Sequence, residues 1–289
     1  MNKSRFTVVT YFVLRILVLV VLVLAALNRQ WYNVFLCLLT LVLFLLPSFV
    51  SHRLKIQLPG ALEVVILLFI FAAEILGEIG EFYVKLDYWD TMLHTINGFL
   101  MAAIGFALID VLNRDPHVRM SLSPLFVAFA AFCFSMTVGI LWEFFEYAMD
   151  RVFLMDMQKD AVVQTVSSVA LHPEGANVPV VLRGVTETVI RSASAGETLI
   201  SGGYLDIGLR DTMTDLLVNC IGALVFSILG VLYLKNRGRL ARLFIPRMMT
   251  EEQTRQLEAE TRARALRRAQ RRARAFPVGS ERGKKRKKD

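Results

Sequence analysis

The chain has 289 residues, of which 55% are apolar, including 20 Phe, and its mean hydropathy is +0.51. Several apolar runs approach the roughly 20 residues that cross a bilayer, which excludes a soluble enzyme, a disulfide scaffold and a disordered chain. The net charge of +8 is unevenly divided: residues 235–289 hold 19 of the 33 Lys and Arg but 6 of the 25 acids, so an acidic body carries a basic tail.

Apolar runs predict six spans, at 7–27, 32–50, 60–80, 91–112, 124–149 and 211–234. The first follows Lys3 and Arg5 but is too long for a signal peptide and has no small-residue cleavage site before a polar domain, so it is read as an uncleaved span. Arg15 lies inside it, either snorkelling to the nearer interface or pairing with Glu63 of span 3. Cys37, Cys133 and Cys220 fall in apolar runs without Cys-x-x-Cys spacing and read as small core residues.

Short loops on one side carry Lys3, Arg5, Arg53, Lys55, Arg114 and Arg119, whereas those on the other carry Arg29 and Lys85. The positive-inside rule then makes both termini cytoplasmic. Residues 150–210 become one large extracytoplasmic loop. Its β-branched segments, 177–183 and 185–190, are separated by Gly and Ser and predict a small hairpin or flap. In the tail, Thr250-Glu-Glu-Gln253 has capping-box spacing and opens a helix to about 275, with residues from Gly279 onward expected to be disordered. Three units follow: a helix pair at 1–59, a four-helix core at 60–235, and a basic cytoplasmic tail at 236–289. The fold class is an all-α membrane protein, a six-transmembrane helical bundle.

The spans also contain residues that bilayers exclude. A charge near the bilayer centre costs about 2.5–3.5 kcal/mol on insertion scales, so each needs a reason. Span 3 holds Glu74 and Glu78, with Glu81 just beyond; span 4 opens with Asp90-Thr-Met-Leu-His94; span 5 closes with Trp142-Glu143-Phe-Phe-Glu146. Span 6 opens with Asp211-Thr-Met-Thr-Asp215-Leu-Leu-Val-Asn219. Given alternating span directions, all four groups reach one extracytoplasmic depth. Spacings of three and four hold each group on one helix face.

So many carboxylates beside an imidazole need protons or cations. Asp, Glu and His suit Zn, Mn, Fe or Mg, and helical bundles lined with acids are a familiar frame for metals. The expected ligands are His94, Glu143, Glu146 and Asp215. Glu143 and Asp211 are the candidate catalytic groups, with Asp90, Asn219, Glu74 and Glu78 in support. For Asp90 and Asp211, capping a helix start is an equally good explanation. His94 could be a structural histidine, and Trp142 a belt residue or a site wall. Glu81 and Asp87 read as solvated loop charges. Gly98, Gly105, Gly139 and Gly222 are expected to permit close helix packing rather than bind phosphate. No nucleophile elbow, P-loop or dinucleotide fingerprint is present.

Asp90-x3-His94, Trp142-Glu143-x2-Glu146 and Asp211-Thr-Met-x-Asp215-Leu-x2-Asn219-x2-Gly222, with Asp156-Met-Gln158, resemble the uncharacterised bacterial integral-membrane family typified by YjdF. The resemblance covers residues 60–235. More loosely, Asp-x3-His followed by Asp-x3-Asn-x2-Gly is similar to VanZ-like proteins, which have Glu-x2-Gln where this chain has Glu143-x2-Glu146. The resemblance implies a bacterial plasma membrane and supports the fold and the site, but it brings no reaction. The long loop and basic tail look like additions to the family core.

Residues 262–274 are rich in Arg and Ala; their charge suits anionic lipids at about 1 kcal/mol per basic residue, and no specific nucleic-acid recognition is expected. Three functions remain open. One is a metal-dependent hydrolase or transferase acting on an envelope or lipid-linked substrate. The others are an ion, proton or small-solute transporter, and a structural or regulatory membrane protein.

Overall fold

The computed structural model describes residues 5–114, 122–236 and 243–275. In chain order it comprises α1 (Arg5–Leu27), α2 (Trp31–Leu43), α3 (Leu46–Leu54), β1 (Ile56–Gln57) and α4 (Gly60–Phe71), which continues as a π-helix over Ala72–Ile79. A short α5 (Phe82–Lys85) leads to α6 (Trp89–Arg114) and α7 (Pro124–Phe153). Strands β2 (Ala161–Val163), β3 (Thr165–Ser168), β4 (Val180–Arg183), β5 (Glu187–Ser192), β6 (Gly196–Ser201) and β7 (Tyr204–Asp206) precede α8 (Leu209–Asn236). Then come β8 (Arg247–Met248) and α9 (Glu251–Ala275).

Six helical segments among the described residues are long and apolar enough to cross a bilayer, and they coincide with the six runs expected from sequence. The second is formed jointly by α2 and α3. Its break falls at Phe44 and Leu45, just before Pro47, where a proline fits the first turn of a new helix. Large apolar side chains such as Phe12, Phe35, Phe129 and Phe144 stand on the outer surface, as lipid-facing residues must.

Two packed regions make up the bundle. α1, α2 and α4 enclose Leu14, Val18, Cys37, Phe44, Leu67 and Ile70. The other region is a three-helix unit of α6, α7 and α8 around Leu100, Phe106, Val127, Ala131, Ala223 and Phe226. Here the glycines bring backbones together. A Cβ on Gly98 would overlap the backbone oxygen of Asn219, and one on Gly222 would overlap that of Thr95. Such small-residue contacts are how membrane helices gain van der Waals packing. Cys133 is exposed rather than a core residue, although Cys37 is buried as expected.

The long loop is extended, with its own pairing. β4, within the expected 177–183 segment, pairs with β3, whereas β5 turns back on β6 as a tight hairpin. β2 pairs with β7 and closes the loop at its root. The two β-branched segments therefore belong to separate hairpins instead of facing each other.

Successive crossings put this loop and the 80–88 connection at the end of the bundle away from the start of α1 and the end of α8. At the opposite end, β1 pairs with β8, Ile56 with Met248 and Gln57 with Arg247. Ile245 and Met249 are buried there, and Phe244 packs against the three-helix core. The first part of the tail is thus folded onto the bundle. The capping box at the start of α9 is present: Gln253 N–H donates to Thr250 Oγ1 at 3.3 Å and Thr250 N–H to Gln253 Oε1 at 3.0 Å. Lys55 Nζ meets Glu258 Oε1 at 3.2 Å. The segment from Gly279 onward lies outside the described residues.

Candidate metal centre

On α7 the buried positions run Val127, Ala131, Ser135, Gly139, Glu143 and Glu146, so the two acids simply continue the stripe that faces α6 and α8. On α8, Asp215, Asn219, Ala223 and Phe226 do the same, and on α6 the inward residues include Leu93, His94 and Leu100. Helical phase thus delivers one histidine and several carboxylates to one end of the three-helix unit.

His94 is the hub. Its Nε2 lies 3.5 Å from Asp90 Oδ1 and 3.9 Å from Asp215 Oδ2, and its Nδ1 lies 3.7 Å from Glu143 Oε1. Ligand atoms of Asp90, His94 and Asp215 fall within 4.8 Å of one another, as do those of His94, Glu143 and Glu146. Around one ion at about 2.1 Å from each ligand, donor atoms lie up to roughly 4.2 Å apart. Small rotamer adjustments would therefore suffice to close either group on a cation. His94, Glu143, Glu146 and Asp215 are 6%, 4%, 6% and 2% exposed. Asp215 Oδ2 and both oxygens of Glu143 have no hydrogen-bond partner among the described residues, although the Thr212 hydroxyl stands beside Glu143. Buried carboxylate oxygens without donors are costly, and cation coordination is one way to satisfy them.

Glu146 is held from outside, by the Trp142 indole N–H donating to its Oε1 at 2.9 Å. Trp142 is half-exposed on the outer surface, packs on Phe145 and reaches Glu146 from that side. Below His94, Asn219 is fully buried; it accepts from Asn97 Nδ2 at 3.3 Å and packs against Gly139. Asn219 therefore supports the floor rather than a ligand. Still deeper, Phe99, Phe106, Phe226 and Phe244 stack edge to face with centroids 5.1–5.9 Å apart.

A strap covers the site. The chain leaves α7 through Leu154, whose φ of 53° ends the helix, and returns over the acids. Both Asp150 oxygens accept backbone N–H groups, from Met157 at 2.6 Å and Gln158 at 2.9 Å. Gln158 Nε2 donates to Thr212 Oγ1 at 2.5 Å, and Lys159 N–H to Asp211 Oδ2 at 2.8 Å. Gly208, with φ of +86°, has no room for a side chain against Gln158. Asp211, expected to be catalytic, is thus engaged in anchoring the strap. Asn97, Thr212, Asp150 and Gln158 were not singled out as site groups. The Asp156-Met-Gln158 and Asp211-Thr-Met-x-Asp215 motifs contain Gln158 and Thr212, whereas Asn97 and Asp150 lie in none.

Glu74 and Glu78 do not join the ligand groups. They lie on the π-helical segment, half-buried and exposed respectively, toward Tyr32 of α2. Tyr83 stands between them and the centre, its ring filling the space beside Gly77. Burial first, and then the negative charges of Asp90, Glu78, Glu74 and Glu146, push the Tyr83 phenol above the usual tyrosine range. Glu81 is a solvated charge paired with Lys85 at 2.9 Å, and Asp87 is exposed. Arg15 lies over the Tyr11 ring at 5.1 Å, and Tyr11 neighbours Ser48 and Glu63.

Fold and site together define a multi-pass membrane protein with a buried acid/histidine centre in a three-helix unit. The chain belongs to the family described as Predicted membrane protein (DUF2238), whose model matches residues 10–236. The match begins at residue 10, so the first two spans belong to the family rather than standing outside it. It establishes the membrane family; the YjdF and VanZ likenesses remain likenesses of motif. No curated protein and no solved structure matches the chain.

Proposed function

We propose that the protein is a divalent-metal-dependent membrane enzyme, a hydrolase or transferase acting at the outer face of a bacterial plasma membrane on an envelope or lipid-linked substrate. The observation that carries this reading is the set of buried, unpartnered oxygens of Glu143 and Asp215 gathered around His94. The centre would be held by His94, Asp90, Asp215, Glu143 and Glu146. A bound divalent ion there would polarise a phosphoryl or carbonyl group or acidify a water. Glu143, with one oxygen toward His94 and a second not engaged by the ring, is the group positioned to take a proton from an attacking water or hydroxyl. Asp211 acts by holding the strap that excludes bulk water. Transport by the same acids would need a polar route onward, and the aromatic stack below Asn219 opposes it.

Detergent-purified protein is expected to carry Zn, Mn, Fe or Mg and to cleave or transfer a lipid-linked phosphate in a chelator-sensitive way. Mass spectrometry should find the metal absent from His94→Ala, and Glu143→Gln should lose turnover. A folded wild type that stays metal-free after incubation with these ions would overturn the reading and make flux in proteoliposomes the next assay. The Lys and Arg bias of the short loops supports cytoplasmic termini. The basic second half of α9 suits anionic lipid headgroups, as salt-sensitive binding of a 250–289 peptide to anionic rather than neutral vesicles would test.

A further inference from the structure

We infer that the centre has two cation positions, one on each nitrogen of His94, with the ring shared between them. This rests on the metal-dependent reading above and specifies the number and arrangement of ions. The two nitrogens of an imidazole point away from each other, so one ion can bond only one of them. Around His94 the carboxylates divide accordingly. Nε2 faces Asp90 from α6 and Asp215 from α8, while Nδ1 faces Glu143 of α7. Glu146 joins the second set, as the two ligand groups have only His94 in common.

Each set keeps buried oxygens outside hydrogen-bond distance of a donor among the described residues, Asp215 Oδ2 on one edge of the ring and those of Glu143, with only the Thr212 hydroxyl beside them, on the other. A single ion on Nε2 would leave the Nδ1 proton to bond Glu143, satisfying one of that residue's open oxygens and leaving the other. The 3.7 Å separation between Nδ1 and Glu143 Oε1 is beyond a hydrogen bond and is room that a small cation can use. Charge agrees. The four carboxylates of the two sets, when ionised, exceed one divalent ion by two charges. Two ions balance them. Binding of the second ion would require the ring to give up its one N–H proton to solvent, leaving one excess negative charge within the two sets, with Asp211 and the Lys159 ammonium alongside.

Zinc bound per chain, counted by mass spectrometry on the full-length detergent-purified protein after loading and desalting, separates the cases. Wild type is expected to hold two ions, Asp215→Asn and Glu143→Gln one each, and His94→Ala none. One ion in wild type, or loss of all metal in either single acid variant, would overturn the paired arrangement while leaving a metal centre. Two ions retained in His94→Ala would overturn the shared ring. No ion in folded wild type would overturn both this inference and the metal-dependent reading. Asp215→Asn and Glu143→Gln preserve side-chain shape, so the count stands even where His94→Ala does not fold.

Discussion

Trp142 shows how one hydrogen bond can join a lipid-facing residue to a buried centre. Its indole N–H donates to Oε1 of Glu146 and leaves Oε2 free of that bond. Groups that orient metal ligands typically change affinity by about 10–100-fold. Trp142→Phe keeps the ring and removes the donor. It should weaken metal binding about tenfold in a competition titration while barely shifting the melting temperature. Asn219 is a different case, because its partners are structural. Asn219→Leu would strip Asn97 of its acceptor and crowd Gly139. A cost of about 1–3 kcal/mol is expected, read as a lower melting temperature. The residues of the acid and histidine cluster were legible in sequence because an acid or histidine at inward phase in a span has few explanations. Asn97 was not, because a lone asparagine in a span gives no sign of the partner it meets across a helix interface.

Among the elements, α7 was the most readable, because Glu143 and Glu146, one turn apart, stand at the end of its buried positions. The stretch around Glu74 was the least. An i, i+4, i+7 reading presumes regular α-helical turns, and the Ala72–Ile79 segment is wound with i→i+5 bonds that turn its side chains to another bearing. The loop strands were visible as β-branched runs, but pairing depends on turn geometry and distant partners, which composition does not encode. Gly98 and Gly222 predict a sharp sensitivity. Gly98→Leu would drive a side chain into the Asn219 backbone and should abolish a monodisperse, folded species on size-exclusion chromatography. The strap is held differently, by the paired bonds of Asp150. Asp150→Ala should increase hydrogen exchange at Met157 and Gln158 by tenfold or more, with the spans themselves unaffected.

At the scale of the molecule, six crossings put the strap and hairpins on one side of the membrane and the β1–β8 pair on the other. Single cysteines placed at Ser194 and at Glu260, in a background lacking the three native cysteines, test this with an impermeant maleimide on intact cells. Label is expected at the first position only, and label at the second alone would invert the topology. Hydropathy could show the number of crossings but not where the bundle ends, because Ile245 and Met249 enter the core from outside any span.

That late entry has a consequence for how the protein is made. β1 emerges from the ribosome soon after the second span, yet its partner β8 is synthesised only after all six spans, nearly two hundred residues later. Until then Ile56, Leu58 and Leu62 lack Ile245, which packs with them in the same buried cluster. A chain truncated just past residue 236 would contain every span and still lack the partner strand of β1. Closing that face is therefore a contact between chain segments nearly two hundred residues apart, the kind of long-range pairing that folds late whatever the order in which the spans insert.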